Sequence, residues 1–174
     1  KALTDAGVEV DGKNILMLGA GGAARAIAFS LARNTAMRRL SILDINEALL
    51  KGLTTDLAAG TDAAVTGEPL TERSLAEAMQ DAEVIIHCTP VGMHPNENAS
   101  LIPDHLFRPG QVVFDIVYTP LETKLLTEAK SRGLKVILGV EMFINQAALQ
   151  FEHFTGVAAP VAVMRQVVMK HFRS

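Results

Sequence analysis

The chain has 174 residues, of which 49% are apolar and 20% charged, with a formal net charge of −3. That length and apolar content fit one domain with a substantial core and exclude an intrinsically disordered chain. The 16 Lys and Arg are scattered through a mildly acidic chain, so no nucleic-acid or anionic-membrane partner is expected. No apolar run approaches the roughly 20 residues needed to span a bilayer, and the first residues lack the apolar core of a signal peptide. A single cysteine, Cys88, excludes an internal disulfide and suits a reducing compartment. A cytoplasmic location is therefore expected. The chain opens on Lys1 rather than Met, which is the pattern expected of a piece of a longer protein.

In chain order, Asn14 to Leu18 is a short apolar run that ends at glycine and reads as a buried strand. Ala23 to Leu31 is Ala-rich, with Ile27 and Leu31 four apart, and reads as a helix. Arg39 to Leu43 is a second strand closed by Asp44. Asn46 then caps a helix that carries Leu49, Leu50 and Leu53. A short strand is expected around Val65 and a helix over Thr71 to Gln80, capped by Thr71 with Ser74 nearby. Glu83 to Cys88 is a further buried strand. Thr89 to Ser100, with Pro90, Gly92 and Pro95, is loop. Gln111 to Ile116 is a strand, Pro120 to Arg132 a helix stopped by Gly133, and Leu134 to Leu138 a strand that Gly139 ends. From Val140 the pattern is helical, closing in a last helix from Pro160 to Phe172. Strands that are apolar throughout and alternate with helices predict an α/β fold: a Rossmann-like, doubly wound parallel sheet with helices on both faces. Residues 1–174 read as one such domain.

The first strand runs into Gly19-Ala20-Gly21-Gly22-Ala23-Ala24, which fits G-x-G-x-x-A. Glycines permit a tight turn and bring backbone N–H groups close to a pyrophosphate. A small residue at Ala24 lets the helix pack against the strand, and the helix N-terminus adds unpaired donors and a partial positive charge. The pattern alone is weak. Its placement between a strand and a helix, with Asp44 closing the second strand, makes it a dinucleotide loop. Asp44 also has a plainer reading as a residue flanking the next helix. As a ligand residue, its carboxylate accepts hydrogen bonds from ribose hydroxyls and repels a 2′-phosphate. Ile45 follows it rather than Arg or Lys. NAD is therefore expected over NADP.

Four segments resemble the shikimate/quinate dehydrogenase family: GAGGAARAI at Gly19 to Ile27, CTPVGM at Cys88 to Met93, DIVYTPLETKLLTEA at Asp115 to Ala129, and GVEMFINQAALQFEHFTG at Gly139 to Gly156. The resemblance implies the C-terminal, NAD(P)-binding domain of an oxidoreductase that moves hydride between nicotinamide and shikimate or quinate. It implies that Thr89, Pro90 and Val91 lie along the cofactor with Met93 beneath it, and that Ile116 lies near the nicotinamide. It further implies that Gly139 places a carbonyl by the nicotinamide, that Met142 packs on its ring, and that Tyr118 and Gln146 reach the substrate. NADP-using members carry Asn-Arg-Thr after the second strand. Asp44-Ile45-Asn46 stands there in this chain and matches the NAD-using branch.

Plainer readings exist beside these: Met142 as core filler, Gln146 as a solvent-facing helix residue, Tyr118 as a turn residue. His87, inside an apolar strand, reads as a satisfied core or sheet-end histidine. The other histidines have no partners at ligand spacing, so no metal site is expected.

The family's proton-transfer Lys and Asp lie in an N-terminal domain, and neither Lys13 nor Lys124 sits in a matching motif. The chain is therefore expected to bind NAD, to need that N-terminal domain as partner, and to turn over no small-molecule substrate alone. Apolar spacing at Val161, Met164, Val168 and Phe172 leaves surface that the missing domain would cover, so self-association into a homo-oligomer or low solubility is expected. Two other readings compete. One is the cofactor domain of another two-domain dehydrogenase, such as methylene-tetrahydrofolate dehydrogenase or glutamyl-tRNA reductase. The other is a non-catalytic dinucleotide-sensing module, which would share the glycine loop and Asp44 without needing Tyr118 and Gln146.

Overall fold

The computed structural model describes residues 1–172. The described residues form a parallel sheet of six strands: β1 (Asn14–Leu18), β2 (Arg39–Asp44), β3 (Val65–Pro69), β4 (Val84–His87), β5 (Val112–Asp115) and β6 (Lys135–Ile137). The strand order is β3-β2-β1-β4-β5-β6, so the winding reverses between β1 and β4. This is the expected doubly wound sheet, and its reversal opens a crevice at the carboxyl ends of β1 and β4.

Side-chain alternation explains the two layers. Ile15 and Met17 of β1 face one core with Leu40 and Ile42 of β2 and Val84 and Ile86 of β4. Leu16 and Leu18 face the other, with Ile85 and Val113. The first core is covered by α1 (Ala2–Asp5), α2 (Gly22–Asn34) and α3 (Glu47–Gly60), the second by α4 (Glu72–Asp81) and α5 (Lys124–Ser131). Both faces of β1, β4 and β5 are covered, which is why these strands lack a polar side, whereas β3 at the edge is exposed from Thr66 to Pro69. Two further helices, α6 (Gly139–Thr155) and α7 (Val161–His171), follow among the described residues.

Helix starts follow from their caps. The Asn46 side chain accepts from the N–H groups of Ala48 and Leu49 at the start of α3. Thr71 and Ser74 form a reciprocal capping box at α4. Thr123 accepts from the Leu126 N–H at α5.

Two expectations need correction, and one element was not expected. The helix placed over Pro120 to Arg132 begins only at Lys124, because Thr123 supplies the cap and the Pro120 segment is a bend. Gly139 does not end a strand. Strand β6 stops at Ile137, Leu138 is the N-cap, and Gly139 is the first residue of α6. The short α1 was not anticipated; its four residues are too few for a periodic signal, and it exists because Ala2 and Leu3 are buried against the core. At the other end, α7 buries no residue fully, and Val163 and Val167 are 57% and 63% exposed.

Leu57 is fully enclosed between α3 and the sheet, whereas Leu49 on the same helix is 49% exposed. Leu57→Ala is expected to cost about 2–5 kcal/mol of stability in urea unfolding, and Leu49→Ala about 0.5 kcal/mol or less.

Candidate functional site

The glycine loop is shaped by a backbone crossing. Gly19 has φ of +107°, and a Cβ there would lie 2.8 Å from the Cys88 carbonyl oxygen and 3.1 Å from Thr89 Cγ2. The end of β1 thus runs against the end of β4, and glycine is the residue that fits. Gly21 and Gly22 differ: a Cβ at either would meet nothing within 4 Å, so both face open space. Gly21 is the N-cap of α2 and, among the described residues, no side chain caps it. The first N–H groups of a 13-residue helix therefore point at that space unclaimed. Ala24, fully buried, packs the helix onto the sheet, while Ala23 is exposed at its start. These are the features a pyrophosphate needs, and the residues present fit one.

Asp44 ties this loop to the next. Its Oδ2 accepts from the Ala20 N–H at 2.5 Å and its Oδ1 from the Asn46 N–H at 2.7 Å. The plainer reading of Asp44 as a helix-flanking residue is thus realised together with its placement beside the glycine loop. A carboxylate has about four acceptor positions, so lone pairs remain for hydroxyl donors. Ile45 beside it is 83% exposed and lines a separate, largely apolar groove of about 620 Å³ with Leu70 and Leu101.

On the other side of the glycine loop, Thr89, Pro90, Met93, Ile116 and Tyr118 line one cavity of about 310 Å³, with Cys88. Five of the residues singled out from sequence therefore meet there. Val91 is half-buried and donates its N–H to Thr89 Oγ1 at 3.2 Å. Gly139 lies behind: a Cβ on it would stand 2.4 Å from the carbonyl oxygens of Ile116 and Val117. Glycine lets the N-terminus of α6 press onto the chain leaving β5. As the first residue of α6, its own carbonyl starts the helix ladder and keeps a second lone pair.

Helix α6 carries Met142, partly buried against the first core, and Gln146, which is exposed. Met142 is thus partly the core filler of its plainer reading. Tyr118, 42% exposed, stacks on Phe143 of α6 with ring centroids 5.1 Å apart. Phe143 was missed in the sequence because nothing in its spacing shows that a loop tyrosine lies above it. The helix is anchored at its root. Glu141 pairs through both oxygens with Arg165 of α7, and this hydrogen bonding holds the guanidinium pKa above its ordinary value. Asn145 donates to Asp5 of α1 at 3.1 Å.

A buried polar group below the cavity was also missed. His87 and Asp115, 1% and 0% exposed, are cross-strand partners in the β4–β5 register. His87 is the satisfied sheet-end histidine expected of it, but its partner is invisible without the register. Among the described residues no group of three His, Cys, Asp or Glu side chains is placed to hold a metal ion. No helix among them is long and apolar enough to cross a membrane.

A doubly wound sheet that opens a glycine turn and a free helix N-terminus at its point of reversal is a dinucleotide-binding domain. Comparison with known proteins gives the family. Residues 139–169 match the family model described as shikimate 5′-dehydrogenase C-terminal domain, and residues 13–102 match that of the lactate/malate dehydrogenase NAD-binding domain. A shikimate dehydrogenase (NADP(+)) of Methanosarcina mazei is 41% identical over 98% of this chain, and the chain spans 60% of that relative's length. Among solved structures, the shikimate 5-dehydrogenase of Listeria monocytogenes in complex with shikimate and NAD superposes with a TM-score of 0.89 at 29% identity, over 96% of this chain and 59% of that one. The quinate dehydrogenase of Corynebacterium glutamicum in complex with NAD gives 0.86 at 26% identity, over 97% and 59%. The chain belongs to the shikimate dehydrogenase family and corresponds to its C-terminal, NAD(P)-binding domain. The lactate/malate model covers the glycine-loop half, which that domain shares with other nicotinamide enzymes.

Cys88 tests the dryness of the cleft floor. Burial, and after it the Asp115 charge, push its thiol pKa up to about 12. An unfolded chain releases this proton near the ordinary value of 9.0, so native stability contributed here is present below that pH and falls as pH rises from there towards 12. In the folded protein at mildly alkaline pH, Cys88 is expected to react with a thiol reagent at least about 100-fold more slowly than in denaturant.

Proposed function

We propose that this chain is the cofactor-holding part of an NAD-dependent dehydrogenase that moves hydride between nicotinamide and a ring carbinol of shikimate or quinate. The observation that carries the cofactor choice is the Asp44 carboxylate, hydrogen-bonded to the glycine loop and followed by Ile45. Its spare lone pairs suit the adenosine ribose hydroxyls, and its charge opposes a 2′-phosphate. In this reading the open backbone of Gly21, Gly22 and Ala23 holds the pyrophosphate, beside Gly19, Ala20 and Ala24. Thr89, Pro90, Val91 and Met93 flank the cofactor, and Ile116, Gly139 and Met142 adjoin the nicotinamide. Tyr118 and Gln146 meet the substrate. The bound nicotinamide would supply the hydride acceptor or donor, and the residues here would hold and orient it.

A second reading, NADP, is favoured by the curated relatives from Methanosarcina to Moorella, whose names specify NADP(+), and by a shikimate dehydrogenase structure 35% identical that holds NADP+. The NAD complexes of the Listeria and Corynebacterium proteins favour the first. Calorimetric titration separates the two. NAD is expected to bind at least about tenfold tighter than NADP, and Asp44→Asn to shrink that margin. Equal or tighter binding of NADP would overturn the Asp44 argument.

Hydride transfer also needs a group to take the carbinol proton, within hydrogen-bond reach. No position of this chain lies in the motif for the family's Lys and Asp pair, so we assign that step to an N-terminal domain that partners this one. The chain by itself is expected to bind dinucleotide and to give no change in nicotinamide absorbance with shikimate or quinate. Turnover by the purified chain would refute this division of labour. A cytoplasmic location accords with the single cysteine, and the exposed Val163 and Val167 of α7 favour self-association of the isolated chain.

A further inference from the structure

Below the cavity that contains Thr89 runs a chain of polar contacts that the cofactor reading leaves without a role. Asp115 Oδ1 lies 2.9 Å from His87 Nδ1, and His87 Nε2 lies 2.6 Å from Thr89 Oγ1. Asp115 is further held by the Thr123 hydroxyl at 2.6 Å and the Val117 N–H at 3.0 Å. The Val91 N–H donates to Thr89 Oγ1. Burying a carboxylate and an imidazole is costly, and here the imidazole joins the carboxylate to one half-buried hydroxyl on the cleft wall.

Hydrogen counting gives the direction of the chain. An ionised carboxylate only accepts, so the proton of a neutral imidazole sits on Nδ1, facing Asp115. Nε2 is then bare and accepts. Thr89 has one hydroxyl hydrogen, and it is donated inward to His87. Its oxygen takes the Val91 N–H on one lone pair and keeps the other. A threonine that could have turned either way is thereby an acceptor and nothing else.

We propose that Asp115 and His87 are positioning residues that fix the Thr89 hydroxyl as a hydrogen-bond acceptor for the nicotinamide half of the dinucleotide. The donor it suits is the carboxamide N–H or a hydroxyl of the adjoining ribose. An acceptor-only oxygen discriminates, because it is repelled by a carboxylate where the carboxamide should be. This rests on the dinucleotide reading above.

The first test is the tautomer, read by long-range nitrogen–proton NMR of the histidine-labelled wild-type chain near neutral pH. His87 is expected to show a protonated Nδ1 and a bare Nε2. Protonation at Nε2 would overturn the proposal. In Asp115→Asn, where the amide can donate to Nδ1, the proton is expected to move to Nε2; its staying on Nδ1 would show that Asp115 does not set it.

The second test is affinity for NAD, nicotinic acid adenine dinucleotide and ADP. Thr89→Val is expected to weaken NAD about 5- to 10-fold, leave ADP unchanged, and be rescued by Thr89→Ser. If the carboxamide is the donor, the nicotinic acid form binds the wild type poorly and is not weakened further. If the ribose hydroxyl is the donor, both dinucleotides weaken together. An equal loss for ADP would reduce Thr89 to a structural role and overturn the proposal. Unchanged NAD binding in Thr89→Val would end this proposal alone, and binding of neither NAD nor ADP would end the dinucleotide reading as well.

Discussion

The contact on which the site depends is the approach of two backbones, where the end of β1 meets the end of β4 at Gly19. No side chain fits between Gly19 and the Cys88 carbonyl. Because the strand order reverses at this pair, closing the two strand ends at their base also sets the crevice above them. Ala20 is then held by Asp44 on one side, and Thr89 abuts Gly19 on the other. Asp44 and Thr89, on opposite sides of the glycine loop, are thus placed from a single turn. Gly139 repeats the device, letting α6 close on the carbonyls that leave β5. Both glycines are explained by what stands beside them, whereas a Cβ at Gly21 or Gly22 would meet nothing within 4 Å.

Much of this was legible in the sequence, and for a physical reason. Strands covered on both faces are apolar throughout, so β1, β2, β4 and β5 appear as short hydrophobic runs within a residue or two of their observed ends. Caps are local chemistry, so Asn46 and Thr71 were readable from residue type. What was misplaced depended on contacts remote in sequence. The four-residue α1 is held by core burial rather than propensity. Gly139 looked like a strand end because it follows an apolar run, yet the helix starts at it.

The site divides along the same line. The glycine loop and Asp44 carry their chemistry in a contiguous pattern, and Thr89, Pro90, Met93, Ile116 and Tyr118 were nominated by family resemblance and do meet in one cavity. The Asp115–His87 pair and the Tyr118–Phe143 stack were not nominated. The first arises from parallel register, and the second from a loop folding over a helix. Neither leaves a trace in spacing, because they join residues 28 and 25 positions apart with no shared period.

Helix α6 is gripped at its root by elements from opposite ends of the chain, α1 through Asp5 and α7 through Arg165. The stretch of α6 that bears Met142 and Gln146 is therefore a splice between the first and last helices of the described residues, so a part of the site is held by the same two contacts that tie those helices together.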